Sequence, residues 1–219
     1  MLGALTVDVV SDVVCPWCFI GKRRLEAALA QLREQDPALP VQVRWHPFQL
    51  NPELPPEGAD RKAYLEAKFG GPARATQIYE RVREAGRTAD IEFDFDAIAR
   101  QPNTLDAHRL IAWAQSRPEG DPQALVEAVF CAYFLEGRYV GDPAELAAIA
   151  ASAGYDPVDA RAFIASDELR AQVSEADVRA REMGISGVPF FIFDGKTALS
   201  GAHEPSTLLE AIAKARAAA

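Results

Sequence analysis

The chain is short of positive charge. Its 219 residues include 23 lysines and arginines against 32 aspartates and glutamates, which gives a formal net charge of −9 at pH 7. No run of five or six basic residues interrupts this acidic balance. Proteins that bind nucleic acid need a basic surface for the phosphates, and anionic lipid surfaces repel an acidic protein. We therefore expect partners that are neither nucleic acids nor membranes.

Long apolar segments are also absent. No stretch approaches the roughly 20 apolar residues that span a bilayer. Residues 1–5 carry none of the positive charge with which a secretion signal begins, and strand-like residues follow at once. These absences predict a cytoplasmic protein.

Cysteine is scarce, because the chain has only three. Three cysteines cannot form the framework of disulfides that holds small secreted proteins together. Two of them, Cys15 and Cys18, stand close together. In a cytoplasmic protein such a pair is more often catalytic, redox-active or metal-binding than a structural staple.

The chain begins with the pattern of a strand, a helix and a second strand. Residues 5–11 form a β-branched run, residues 19–35 place apolar side chains three and four apart, and residues 41–45 alternate. Gly21 lies on the apolar stripe, where it would let the helix approach a sheet closely. This order predicts a βαβ unit with parallel strands.

Helical patterns dominate the middle of the chain. Residues 51–60 are rich in proline and indicate a linker, and residues 91–95 alternate too briefly for a firm assignment as a strand. The expected helices cover residues 61–69, 73–87, 104–116, 122–135, 143–153, 157–166 and 167–183.

Strands return near the end. Residues 189–193 form an apolar run, a hairpin turn follows at Asp194-Gly195, and residues 197–200 return. Residues 205–217 close the chain as a helix. The predicted sheet therefore has two halves, βαβ and ββα, in an α/β fold.

The Cys15-Pro16-Trp17-Cys18 motif falls where the first strand passes into the first helix. Proline is favoured at the first helical position, so Pro16 makes Cys15 the N-cap residue. Its sulfur then faces unpaired N–H groups and the positive end of the helix dipole, which favours the nucleophilic thiolate. Cys18 lies one turn further on the same face, within disulfide reach. The arrangement suits attack by one thiol and resolution of the mixed disulfide by the other.

Two other interpretations of the cysteine pair stay open. The pair could be half of a zinc site, but tetrahedral zinc needs two more ligands. Cys131 stands alone, and His46, His108 and His203 show no paired spacing. The two thiols could also be idle residues at a helix start. A strand, a Cys-x-x-Cys motif and a helix in succession are nevertheless the expected context of a redox motif.

Several motifs together resemble the DsbA-type thioredoxin-fold proteins. They are the Cys-Pro-Trp-Cys motif at the start of the first helix, the Gly-Val-Pro motif (187–189) before a late strand, and the helical block between the halves of the sheet. The closer resemblance is to the FrnE-like branch, which is cytosolic and was first named in polyketide biosynthesis. Four segments carry it: 15–22 (Cys-Pro-Trp-Cys-Phe-Ile-Gly-Lys), 47–52 (Pro-Phe-Gln-Leu-Asn-Pro), Asn103-Thr104 with 107–109 (Ala-His-Arg), and 187–191 (Gly-Val-Pro-Phe-Phe).

The resemblance covers nearly the whole chain and implies a fold. It implies a thioredoxin-like domain of residues 1–60 and 184–219, with a large all-helical insertion of residues 61–183. It also implies that Pro189 follows a cis peptide bond and faces the active-site disulfide, while Val188 offers its backbone to a substrate strand. Some FrnE-like members have an additional C-terminal cysteine pair, which this chain lacks, so isomerase activity that depends on it is not expected.

Four other residues are candidates for roles near the site. His46 ends the second strand, at the edge where α/β sites form, and it could move protons for the cysteines or be structural. Asn103 could contact substrate, although it is also a good helix cap. Trp17 could contact substrates or only shield the disulfide. Cys131 lies among large apolar residues and is expected to be an inert, buried thiol.

These observations predict an enzyme that exchanges disulfides with protein or small-molecule thiols. Cys15 is the expected nucleophile and Cys18 the resolving thiol, tuned by Pro16, Trp17 and Pro189. No bound cofactor or metal is expected, and glutathione or another thiol could serve as redox partner.

The alternatives are a glutathione-dependent transferase or isomerase of the kappa or 2-hydroxychromene-2-carboxylate type, and a thiol-binding or chaperone-like module. Members of that related group usually keep a single Ser or Cys at the helix start, so Cys18 counts against the first alternative.

Overall fold

The computed structural model of the protein describes residues 3–217. Its strands are β1 (Leu5–Ser11), β2 (Val41–Pro47), β3 (Ala59–Asp60), β4 (Arg100–Gln101), β5 (Phe190–Phe193) and β6 (Thr197–Ser200). Its helices are α1 (Pro16–Gln35), α2 (Arg61–Phe69), α3 (Pro72–Arg87), α4 (Leu105–Gln115), α5 (Pro122–Phe134), α6 (Pro143–Ser152), α7 (Pro157–Ala165), α8 (Arg170–Glu182) and α9 (Pro205–Ala217). Within residues 3–217, no helix has the length and apolar character needed to cross a membrane.

A four-stranded sheet in the order β2-β1-β5-β6 organises the fold. β1 and β2 are parallel and are joined through α1, which confirms the predicted βαβ unit. β6 is antiparallel to β5, as the predicted hairpin requires, and β5 is antiparallel to β1. Phe190, the first residue of β5, therefore lies beside Val10, near the end of β1. This pairing brings the segment before β5 to the turn that carries the cysteines.

An aspartate followed by a proline begins each of α5, α6 and α7. The carboxylates of Asp121, Asp142 and Asp156 accept hydrogen bonds from backbone N–H groups of the first turn, at distances of 2.7 or 2.8 Å for the shortest bond of each. The proline occupies the first helical position, where its missing N–H has no helical partner to lose. Such a cap stabilises a helix by about 1 kcal/mol. The predicted starts of these three helices are confirmed.

Aromatic side chains join α1 to the helical region. Phe19 of α1 stacks on Phe130 of α5, with ring centroids 5.1 Å apart. Phe93 and Phe95 lie in the segment 91–95, which forms an irregular loop and not a strand. Both rings pack against Phe134 of α5, at 5.4 and 6.0 Å. Buried residues of the sheet and of the helical region thus form one contiguous apolar cluster.

The structure differs from the sequence interpretation in two places. The linker 51–60 contains β3, which pairs antiparallel with β4 and sets Ala59 opposite Gln101, so the middle region is not all-helical. A two-residue strand has too short a pattern to be detected in the sequence. The last helix of that region begins at Arg170, and not at 167, because Leu169 has a left-handed backbone (φ 61°).

Gly21 allows the close approach that its position predicts. A Cβ atom at this residue would lie 2.9 Å from Cγ of Pro189 and 3.1 Å from Cζ of Phe191. Both distances are shorter than ordinary van der Waals contact. α1 therefore packs directly on the start of β5, and the cysteine turn shares this corner of the molecule.

Candidate active site

Cys15 lies at the N-terminus of α1, as its sequence context predicts. Its backbone is extended (φ −94°, ψ 111°), Pro16 is the first helical residue, and the Cys15 carbonyl accepts a hydrogen bond from the N–H of Cys18 at 2.9 Å. The Cys15 side chain makes no capping hydrogen bond to the helix. Its sulfur stands at the positive end of the helix, where negative charge is favoured.

Cys18 is one turn deeper and is sealed from solvent. Its exposed fraction is 1%, against 5% for Cys15, and both are free thiols. Burial raises the pKa of Cys18 well above its usual value, and the hydrogen bond to Cys15 and the charge of Cys15 raise it further. Hydrogen bonds from Ser11 and from the backbone of Asp12 oppose this rise without cancelling it. Cys18 is therefore held as a protonated thiol close to Cys15.

Cys15 opens into a cavity of about 210 Å³. The Cys15 side chain is largely covered and not presented at the surface, so a substrate reaches its sulfur through this cavity. Trp17 also lines the cavity and is 40% exposed. Other walls come from the loop after β2 and from helices α2 and α3: Leu50, Asn51, Tyr64, Leu65, Lys68, Phe69 and Tyr79 among them.

The segment before β5 faces the same thiol. The Val188–Pro189 peptide bond is cis, as the resemblance implies. The Cys15 thiol donates a hydrogen bond to the carbonyl oxygen of Val188, with 3.6 Å between sulfur and oxygen. The structure thus brings Cys15, Cys18, Val188 and Pro189 together.

A buried carboxylate stands behind the cysteine turn, and the sequence analysis missed it. Asp12 is fully buried, and its carbonyl accepts the N–H of Cys15 at 3.1 Å. Its carboxylate accepts the N–H of Leu50 at 2.7 Å and lies 3.2 Å from Nε2 of the buried His108. His108 is 96 residues away in the chain, so no local motif links the two. The one available signal was an aspartate three residues before Cys15.

His46 and Asn103 lie outside the cavity of Cys15. His46 lies in β2, one residue before the strand ends at Pro47. It is exposed, and its Nε2 lies 2.7 Å from the carboxylate of Asp8. Asn103 accepts the N–H of Leu105 at 3.0 Å and donates to the carbonyl of Leu54 at 2.6 Å. Asn103 thus binds at the start of α4, but the N-cap residue is Thr104 and not Asn103 as expected. Substrate roles for His46 and Asn103 stay predictions.

Cys131 is half-buried, not buried as expected. Its thiol donates a hydrogen bond to the carboxylate of Glu127, with 3.4 Å between sulfur and oxygen. Desolvation, followed by the charge of Glu127, raises the pKa of Cys131 to about 11. The thiol therefore stays protonated at neutral pH, which agrees with the expected lack of reactivity.

Within residues 3–217, no group of three or more histidine, cysteine, aspartate or glutamate side chains could hold a metal ion.

Comparison with known proteins identifies relatives over almost the full length. The family model described as "DSBA-like thioredoxin domain" matches residues 6–213. The uncharacterized protein YwbO of Bacillus subtilis is 28% identical over 211 residues, which are 94% of each chain. A probable DsbA oxidoreductase from Streptomyces coelicolor is 29% identical, with a TM-score of 0.85 over 96% of this chain and 89% of that one.

Two more distant structures share the fold. A 2-hydroxychromene-2-carboxylate isomerase is 17% identical, with a TM-score of 0.68 over 95% of both chains. The cytosolic disulfide reductase DsbM of Pseudomonas aeruginosa, solved with GSH, is 16% identical, with a TM-score of 0.60 over 97% of this chain and 96% of that one. At these identities the similarity shows a common fold.

Proposed function

The chain belongs to the family of DSBA-like thioredoxin domains, and from this membership we propose that it is a thiol–disulfide oxidoreductase. Cys15 is the attacking thiol and Cys18 the resolving thiol. One observation carries the proposal: two free thiols lie one helical turn apart at the N-terminus of α1, the outer one open to a cavity and the inner one sealed. This asymmetry is what sequential attack and resolution require.

The reaction proceeds in two balanced exchanges. In the first, the Cys15 thiolate attacks one sulfur of a substrate disulfide, the S–S bond breaks, and the other substrate sulfur leaves as a thiolate that takes up a proton. In the second, Cys18 loses its proton and attacks the sulfur of Cys15, which releases the second substrate thiol. The substrate gains two electrons and the protein becomes the disulfide. The same steps in reverse oxidise a dithiol substrate.

The high pKa of Cys18 determines the order of these steps. A protonated Cys18 is a poor nucleophile, so it does not compete with Cys15 for the incoming disulfide. Once Cys15 is in a mixed disulfide its negative charge is gone, and that charge is one cause of the raised Cys18 pKa. Attack by Cys18 therefore becomes easier after the first exchange than before it.

Backbone groups beside Cys15 are suited to hold a substrate chain. Val188 presents its carbonyl 3.6 Å from the Cys15 sulfur, and Trp17 supplies an exposed aromatic surface on the other side of the cysteine motif. A substrate main chain that hydrogen-bonds to Val188 would place its sulfur against Cys15. We assign substrate contact to Val188 and Trp17, and positioning of the Val188 carbonyl to Pro189.

We further propose that the protein works in the cytoplasm without a bound cofactor and takes its electrons from a small thiol such as glutathione. The acidic charge of −9 and the scarcity of cysteine support this setting. The Pseudomonas protein of similar fold is described as cytosolic and was solved with GSH. The second thiol, Cys18, argues against a transferase or isomerase with one active-site residue.

Trapping of the mixed disulfide tests this proposal. In a Cys18→Ala variant the first exchange occurs but resolution does not, so a covalent adduct should accumulate on Cys15 with bis(2-hydroxyethyl) disulfide. Peptide mass spectrometry locates the adduct, and a Cys131→Ser variant is the matched control for a cysteine outside the site. An adduct confined to Cys131, or no adduct on Cys15, would contradict the proposal. A purely thiol-binding module would form the adduct but show no turnover in the reduction of insulin.

A further inference from the structure

A second cavity adjoins the one that contains Cys15. It measures about 340 Å³ and lies between α2 and α3. Leu65 and Tyr79 line both cavities, so the two share a wall.

Arg61 supplies a buried positive charge to this second cavity. It lines the cavity and is only 6% exposed. Its Nη1 donates to the carbonyl of Phe95 at 3.3 Å, while its Nε is buried and has no hydrogen-bond partner. The ion pairs within residues 3–217 include none with Arg61. The adjacent carboxylate of Asp60 is used as the cap of α2, where it accepts the N–H of Ala63.

The other charges of the cavity leave Arg61 uncompensated. Arg83 lines the same cavity and is bound to Asp96 at 2.7 Å. Both guanidinium groups lie over the ring of Phe95, at 5.6 Å for Arg61 and 5.3 Å for Arg83. Lys62 and Glu66 are the remaining charged residues of the lining. Three cationic side chains therefore face two acidic ones, in a protein whose overall charge is negative.

Lys22 is a second buried cation, and its charge is paired within the chain. Lys22 is 2% exposed, and its Nζ lies 2.5 Å from Glu26 and 2.6 Å from Glu127. Burying a charge without a partner is costly, and protein structures normally supply one. Among residues 3–217 Arg61 has no carboxylate partner; its contacts are the Phe95 carbonyl and the rings of Tyr79 and Phe95.

Tyr79 lines both cavities and packs against the guanidinium of Arg61. Burial raises the pKa of Tyr79, the charge of Arg61 lowers it, and the charge of Cys15 raises it. The phenol is thus within electrostatic reach of both groups. The guanidinium of Arg61 also lies over the Tyr79 ring, 5.0 Å from its centroid.

We propose that the second cavity binds a carboxylate group of the disulfide substrate, with Arg61 as the recognising residue. The guanidinium of Arg61 lines the cavity, and such a planar fork of donors binds a carboxylate through charge-assisted hydrogen bonds. This inference rests on the proposed function, because the same substrate places its sulfur at Cys15. It assigns the protein to disulfides that carry an acidic group near the sulfur, such as acidic peptides or acidic small thiols.

Matched disulfides of different charge test this inference. The probes are dithiodibutyric acid and its diamide, which differ in charge and hardly in size. The rate at which each oxidises the reduced protein is measured in wild type, Arg61→Met, Arg61→Lys and Arg44→Met. Arg44 is an exposed arginine bound to Asp8 at 2.8 Å, so its loss is a matched control for net charge.

We expect wild type to react with the diacid at least about tenfold faster than with the diamide, the factor given by one charge-assisted hydrogen bond of roughly 1.4 kcal/mol. The ratio should fall to about one in Arg61→Met, stay unchanged in Arg44→Met, and be intermediate in Arg61→Lys, which keeps the charge but loses the fork. A wild-type ratio of one, or a ratio unchanged by both Arg61 variants, overturns the inference. If Arg61→Met does not fold, the Arg61→Lys ratio decides.

A binding measurement separates this inference from the proposed function. If neither disulfide reacts, the proposed function fails, but thermal stabilisation by glutarate still tests the cavity. Stabilisation of wild type that is lost in Arg61→Met and kept in Arg44→Met supports a carboxylate site. Stabilisation by inorganic phosphate and not by glutarate, or by neither anion, overturns it.

Discussion

The cysteine turn of α1 and the last turn of α5 place the same side chain in opposite settings. Cys15 stands at the N-terminus of a helix, without a carboxylate as hydrogen-bond partner, and opens into a cavity. Cys131 lies within α5, and its thiol hydrogen-bonds to Glu127. The helix terminus favours negative charge on sulfur, whereas the neighbouring carboxylate opposes it. We therefore expect Cys15, although it is less exposed than Cys131, to be the more reactive thiol.

The largest expected difference between the two settings is in catalysis. Replacing Cys15 with serine should reduce insulin reduction to the uncatalysed background, because a serine hydroxyl cannot exchange with a disulfide. The Cys131→Ser variant should keep nearly full activity. Turnover is measured for both variants, and circular dichroism verifies that each is folded. If both variants were folded and lost activity equally, Cys131 would take part in the mechanism and the contrast between the two cysteines would be wrong.

The second difference concerns alkylation. With its pKa at about 11, Cys131 should be thiolate in only about one molecule in a thousand at pH 8, roughly two hundredfold less than an ordinary free cysteine. Its reaction with iodoacetamide should accelerate until the pH approaches 11. The measurement uses a variant with Cys15 and Cys18 both replaced by serine. A rate that levels off near pH 8 or 9 would show that burial and the charge of Glu127 do not raise the pKa of this thiol.

Removing the carboxylate of Glu127 should make the reactivity of Cys131 more similar to that of Cys15. In Glu127→Gln the negative charge that raises the pKa of Cys131 is lost, so alkylation at pH 8 should be about tenfold faster, as for a pKa fall of about one unit. Glu26→Gln is the matched control, because Glu26 also pairs with Lys22 but makes no hydrogen bond to Cys131. Equal acceleration in both variants would point to a general loss of structure.

The smallest expected effect is on stability in acid. Burial alone would raise the pKa of Glu127, but Lys22 and Arg23 outweigh it, and the pKa is held below the ordinary value of 4.5. The ionised form therefore stabilises the folded state above about pH 4.5, and this contribution disappears as the pH falls through the lowered pKa. Urea unfolding of wild type and Glu127→Gln is measured from pH 3 to 7. The difference between their free energies of unfolding should become smaller as the pH falls. A difference that does not change with pH would contradict a stabilising role of the ionised Glu127.

Features that depend on neighbours in the chain could be predicted from the sequence. Pro16 marks the first turn of α1 and so locates Cys15 at its start, and the aspartate–proline pairs locate α5 to α7. The parallel pairing of β1 with β2 and the hairpin of β5 and β6 follow from the βαβ and ββα patterns. These signals are local, and each is confirmed by the structure.

Features that depend on distant residues could not be predicted from the sequence. The pair of Asp12 and His108 joins positions 96 residues apart, and neither residue alone differs from an ordinary surface or cap residue in the sequence. The same holds for Arg61, whose burial results from Tyr79 and Phe95 packing over it. The covered state of Cys15 likewise results from the packing of several elements, which no motif describes.

The pairing of β1 with β5 has a consequence for synthesis on the ribosome. Cys15 and Val188, which meet in the finished protein, are separated by 173 residues. At 5–20 residues per second, a nascent chain carries its two cysteines for roughly 10–35 s before β5 exists. During that interval the central strand β1 lacks its second neighbour, and the redox motif is translated but not enclosed. Oxidation of the pair, or its capture by another thiol, is therefore a hazard of translation, one that ends when the last fifth of the chain emerges.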